Sequence, residues 1–139
     1  MRSLLAVLTV LAIAGWVEGA TAQEGRVALE LNKLEQQGDS CRAYVLLQNG
    51  SQQDFSSLRL DLVMFDGEGI VAQRLALETA PLPPAKTSLK VFDIAGLACA
   101  SIGRILLNDV LACDSAAGAV EDCLGLIDVS ARGELSLIK

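Results

Sequence analysis

From Val27 onward, apolar side chains recur at every second position, the pattern of strands that bury one face and show the other to water. Val27, Leu29 and Leu31 alternate with Ala28, Glu30 and Asn32 in a first strand that ends at the turn Gln36-Gln37-Gly38-Asp39. Cys41, Ala43, Val45 and Leu47 mark one face of a second strand, and Asn49-Gly50-Ser51 supplies the residue types that favour a turn after it. In the third strand Leu58, Leu60, Leu62 and Met64 share one face, and Arg59, Asp61, Val63 and Phe65 share the other. Asp66-Gly67-Glu68-Gly69 turns the chain into a fourth strand, Ile70 to Leu77, in which Gln73 is out of phase. Pro81, Pro83 and Pro84 then interrupt pairing, because proline has no N–H to give to a ladder. Ser88 to Ile94 and Arg104 to Ala112 read as fifth and sixth strands, and Leu124 to Ile127 and Leu135 to Ile138 as short additions.

Short strands at intervals of roughly ten residues predict an all-β fold, an antiparallel immunoglobulin-like sandwich of about seven strands, with a small barrel as the alternative. No repeat or linker divides the chain, so residues 23–139 are expected to form one domain.

The first residues break this pattern. Arg2 precedes an apolar run from Leu4 to Ala14, and Ala20-Thr21-Ala22 has the small-x-small form read by signal peptidase. Residues 1–22 are therefore predicted to be a cleaved signal peptide. No twin-arginine pair precedes the apolar run, which points to the general secretory route and a periplasmic location. No cysteine follows the cleavage site directly, and no later run is long enough to span a bilayer, so no stable membrane insertion is expected after cleavage.

Composition narrows the function classes. The chain carries a formal charge of −6 and no basic cluster, which excludes nucleic acid as the expected partner. Histidine is absent, and the four cysteines, Cys41, Cys99, Cys113 and Cys123, contain no C-x-x-C pair. Zinc, thioredoxin-like exchange and base-activated thiol catalysis are all disfavoured on that ground, and two disulfides are expected in an oxidising compartment. If successive strands alternate in direction, Cys41 and Cys99 fall at one end of the sandwich and Cys113 and Cys123 at the other. That makes Cys41–Cys99 and Cys113–Cys123 the preferred pairing.

The stretch "SSLRLDLVMFDGEGIV" followed by "PLPPAKTSLKVFDI" resembles a pattern of bacterial extracytoplasmic immunoglobulin-like modules, the FxLYD-type domains. There an apolar strand ends in an aromatic and Asp, a Gly turn follows, and an "lPPg-x-t" loop leads into the next strand. Phe65-Asp66 stands at the aromatic-Asp position, whereas Ala85 occupies the place of the usual Gly. Taken with "GRILLNDVLACDS", the whole chain is similar to small exported proteins of alphaproteobacteria. The resemblance implies fold and a periplasmic compartment and carries no activity with it.

No catalytic set is expected, and no cofactor or metal. Asp66 and Glu68, with Asp61 or Asp93, are the acids that calcium would need gathered, but a solvated hairpin turn is the simpler reading. Asn108 and Asp109 interrupt the apolar sixth strand and are expected at a bend or bulge. Tyr44, Leu46, Val63, Phe65 and Phe92 fall opposite the predicted core positions, and would form an apolar partner surface if their strands shared a sheet; the simpler expectation is that the C-terminal segment, with Leu135, Leu137 and Ile138, covers them, or that one strand is out of phase. The loop Thr79 to Thr87 is the candidate for an inhibitor-type protrusion, and an open edge strand is a candidate for strand addition. These features together predict a non-catalytic binding or accessory module for another envelope protein. A small-ligand or metal-ion binder and an enzyme inhibitor are the alternatives.

Overall fold

The computed structural model describes residues 24–139; the predicted leader and its cleavage site lie outside them. Among the described residues, nine strands make two sheets. They are β1 (Val27–Gln37), β2 (Ser40–Asn49), β3 (Phe55–Phe65), β4 (Val71–Glu78), β5 (Thr87–Ile94), β6 (Arg104–Ser115), β7 (Gly118–Ala119), β8 (Ile127–Ala131) and β9 (Leu137–Ile138). One sheet has the order β5-β2-β1-β8; the other has β4-β3-β6-β7, with β9 pairing β6. The result is a β-sandwich.

Alternation sets the core. Leu29, Leu31, Val45 and Leu47 from one sheet meet Leu58, Leu60, Leu62 and Met64 from the other, all buried. The filling leaves only a void of about 10 Å³, lined by apolar side chains that include Phe92 and Leu137. Such a space holds no ligand, and Phe92 belongs to the core side of β5 rather than to an outer patch.

Three expectations change. The sheets are mixed rather than purely antiparallel, because β8 runs parallel to β1 and β9 parallel to β6. Leu124 to Ile127 is not a strand: Cys123–Leu126 forms a single helical turn, α1, and β8 begins only at Ile127. The C-terminal segment does not lie over an outer face, since Leu137 enters the core and Lys139 Nζ donates to the carbonyls of Leu124 and Ile127. That contact ties the end of β9 to α1 and the start of β8, while β5 and β8 are the edge strands of one sheet and β4 lies at an edge of the other.

Cys41 is bridged to Cys99 and Cys113 to Cys123, the pairing that alternating strand direction favours. With sequence separations of 58 and 10, loop-closure entropy assigns them about 4 and 3 kcal/mol. Both are substantial against a domain stability of about 5–15 kcal/mol.

A polar knot joins the two long loops. Asn49 is fully buried, and its Nδ2 donates to the carbonyls of Gln53 and Leu82 while its Oδ1 accepts from the N–H and hydroxyl of Ser51. Phe55 and Leu82 exchange backbone hydrogen bonds beside it. The segment from Thr79 to Thr87 is therefore stitched to the body at Thr79 and Leu82, which are buried, while Pro83 to Thr87 are exposed.

Candidate binding surfaces

The five residues expected to share a partner surface are not brought together. Tyr44 and Leu46 lie on β2, in the opposite sheet from Val63 and Phe65 on β3, so the two pairs face away from each other across the core. Val63 is only 7% exposed, because β3 is a central strand and Arg74 and Leu106 stand directly beside Val63 in the flanking strands. Phe92 faces inward, as described. What remains is two separate outer surfaces.

On the β4-β3-β6 face, Asp61 is 1% exposed although it points away from the core. Arg74 grips it with Nε at 2.7 Å and Nη2 at 2.8 Å, and Asn108 Nδ2 donates to its Oδ2 at 2.7 Å. Hydrogen bonds from Arg74 hold the Asp61 carboxyl below the ordinary aspartate range against the opposing effect of burial, and Asn108 adds to them. Asn108 can reach Asp61 because β6 carries an extra residue there: Asp61 pairs with Asp109 and Leu62 with Leu107. A second bulge, between the pairs Arg59–Ala112 and Leu60–Val110, leaves Leu111 exposed. Asn108 and Asp109 thus occupy a bulge, as their polarity suggested.

The acids considered for calcium are dispersed. Asp61 is committed to Arg74, and Asp93 to Arg42 in the other sheet. Asp66 serves its own turn, where Oδ1 accepts from the N–H groups of Glu68 and Ile70. No group of metal-ligating side chains occurs among the described residues.

That turn presents the first candidate surface. Ile70 and Val71 are 60% and 59% exposed at the tip of the β3–β4 hairpin, and Val71 pairs with Phe65. Arg104 lies over the Phe65 ring, 5.1 Å from its centroid. The tip is firmly held: Asp66 N–H donates to the Ile70 carbonyl, and Gly103 N–H to that of Phe65. Gly103 is required for this approach, because a Cβ there would lie 2.5 Å from the Asp66 carbonyl oxygen.

The outer face of the β5-β2-β1-β8 sheet is the second surface. Leu89 and Val91 of β5 stand opposite Leu46 and Tyr44 of β2, a short apolar ridge of four residues. Next to it lies an open trough of about 320 Å³ over β1 and β8, lined by Ala28, Glu30, Ser130 and Arg132 among others. Four ion pairs surround these features: Arg26–Asp128, Lys33–Glu35, Arg42–Asp93 and Glu30–Arg132. Glu35 also accepts from the Tyr44 hydroxyl, and Lys33 sits over the Tyr44 ring. Asn32 and then Arg132 lower the Glu30 carboxyl, and Arg42 lowers that of Asp93.

Leu89, Val91, Ile70 and Val71 escape a reading by alternation alone. Their exposure depends on which side of a strand the opposite sheet occupies and on where a hairpin ends. No family profile and no curated protein matches this chain. Among solved structures, it is similar to IrmA from Escherichia coli, with a TM-score of 0.58 at 15% identity, over 75% of this chain and 90% of that one. At that identity the likeness shows a shared β-sandwich fold and nothing of function.

Proposed function

We propose that this protein is a non-catalytic binding module of the bacterial periplasm, acting on another envelope protein through the tip of its β3–β4 hairpin. The observation that carries the reading is a rigid turn holding two large apolar side chains, Ile70 and Val71, in water beside the Phe65–Arg104 stack. Exposed apolar groups on a pre-organised loop are the usual anchors of a protein contact, since little conformational entropy is lost on docking. Two disulfides suit an oxidising compartment, in keeping with the leader-like N-terminal sequence. Among the described residues no helix is long and apolar enough to cross a membrane. The core void of about 10 Å³ has no room for a small ligand, so the small-ligand alternative would have to use an open surface such as the trough over β1 and β8, and the inhibitor alternative the exposed residues Pro83 to Thr87.

The test is affinity capture from periplasmic extract with the wild type beside an Ile70→Asp, Val71→Asp variant. A stoichiometric partner held by the wild type and lost by the variant is the expected result. Equal capture by both, with the variant still folded, would refute the assignment of this surface.

A further inference from the structure

The charge of the molecule is unevenly distributed. On the outer face of the β5-β2-β1-β8 sheet, four acids and four bases neutralise one another in pairs. The entire formal charge of −6 therefore resides elsewhere on the chain. An acidic protein repels its own copies everywhere except across such a face.

The same face is complementary to itself. Leu89 lies in register with Leu46, Leu46 with Glu30, and Glu30 with Ser130, so one row of residues crosses the sheet from ridge to trough. A two-fold axis parallel to the strands, midway between β2 and β1, carries β5 of one copy over β8 of the other and keeps that row aligned. Leu89 of each copy then enters the trough beside Ser130 of the other, the reciprocal contact of an isologous interface. From this geometry we infer that the partner of this face is a second copy of the chain, packed sheet against sheet.

Edge-to-edge pairing through β5 is the competing geometry. Lys90 opposes it, because it is a charged residue on the core side of an edge strand, a device that blocks strand addition. Four strands about 4.8 Å apart and eight residues of about 3.3 Å give roughly 500 Å² per copy, or about 1,000 Å² in all. That is the lower limit of a specific interface, so the dimer is weak, half-formed between about 10 μM and 1 mM. Dimerisation leaves both β3–β4 hairpins free on the outer sheets. It does not depend on the function proposed for them.

Sedimentation equilibrium on the purified protein, from low to high concentration, reads the association. Because the contact is neutral and the two bodies are like-charged, the dimer should tighten several-fold as salt rises from about 0.01 to 0.3 M. Leu89→Asp and Ser130→Lys should each weaken it at least tenfold. Mixing the two variants should restore association, because the introduced carboxylate meets the introduced ammonium at one contact while the other contact keeps its wild-type residues. Both positions are exposed, and near-wild-type melting of each variant alone confirms folding. A wild type that stays monomeric to about 1 mM, a dimer that weakens with salt, or a mixture that fails to associate would each overturn the inference. Ile70→Asp, Val71→Asp should leave the dimer intact, so failure of the hairpin reading and failure of this one are separable.

Discussion

Replacing Asn49 with Ala tests whether the polar knot between the two long loops holds the end of the sandwich together. The side chain makes four hydrogen bonds: to the Gln53 carbonyl at 2.8 Å, to the Leu82 carbonyl at 3.0 Å, and from the Ser51 N–H and hydroxyl at 3.0 and 2.6 Å. At about 1 kcal/mol net for each bond, and with the Ser51 N–H and hydroxyl proton losing their acceptor while the Leu82 carbonyl keeps the Phe55 N–H, the expected loss is about 3–4 kcal/mol. That is a large part of a domain stability of about 5–15 kcal/mol. Urea denaturation with both disulfides intact measures it, with the exposed neighbour Gln52→Ala as a control expected within about 0.5 kcal/mol of wild type. Asn49→Asp refines the test. It retains the acceptors for Ser51 but directs a carboxylate at the Leu82 carbonyl, which raises the folded-state pKa of the new group. Its deficit against wild type should therefore widen as pH rises through about 4 and narrow below it, where the protonated group can donate. A loss under about 1 kcal/mol for Asn49→Ala would show that water satisfies these groups and that the knot is incidental.

Ala85 adopts φ +61°, the left-handed conformation that costs a residue with a Cβ about 1–2 kcal/mol. Ala85→Gly should raise stability by about 0.5–1 kcal/mol after the added unfolded-state entropy is counted, and thermal unfolding would register the gain. The chain has no histidine, and every acid with a displaced pKa is lowered while every such base is raised. Lowered carboxyls contribute stability above their unfolded pKa of about 4 and lose it as pH falls through the folded value, so stability should be flat from about pH 5 to 9 and decline below about 4. Asp61→Asn should be destabilised at neutral pH, with the gap from wild type closing on acidification. A gap independent of pH would mean that the Asp61 charge contributes nothing.

The chain's sequence speaks most clearly about what is local. Period-2 alternation places the side chains of β1, β2 and β3 on their buried faces, because the phase of a strand depends only on its own residues and on the need to bury the apolar set. The Asp66 and Asn49 turns are legible for a similar reason, since Asp and Asn bond to backbone a few residues away. Strand direction sufficed to pair the cysteines. At Ala85, where a glycine is the expected residue type, the backbone takes the left-handed conformation that glycine favours.

Which strands become neighbours is another matter, because pairing joins residues far apart in the chain. β2 finds β5 rather than β3, which separates Tyr44 and Leu46 from Val63 and Phe65 and dissolves the expected patch. β5 sits with Phe92 inward and Leu89 and Val91 outward, since the opposing sheet lies on the Phe92 side. The parallel additions β8 and β9 come from short segments whose own patterns are too brief to show direction. Asp61 is buried on an outer face only because a bulge in β6 and a guanidinium from β4 converge on it. Nothing along the chain announces that eight charges cancel across one sheet. That neutrality arises only when four strands, drawn from both ends of the sequence, lie side by side.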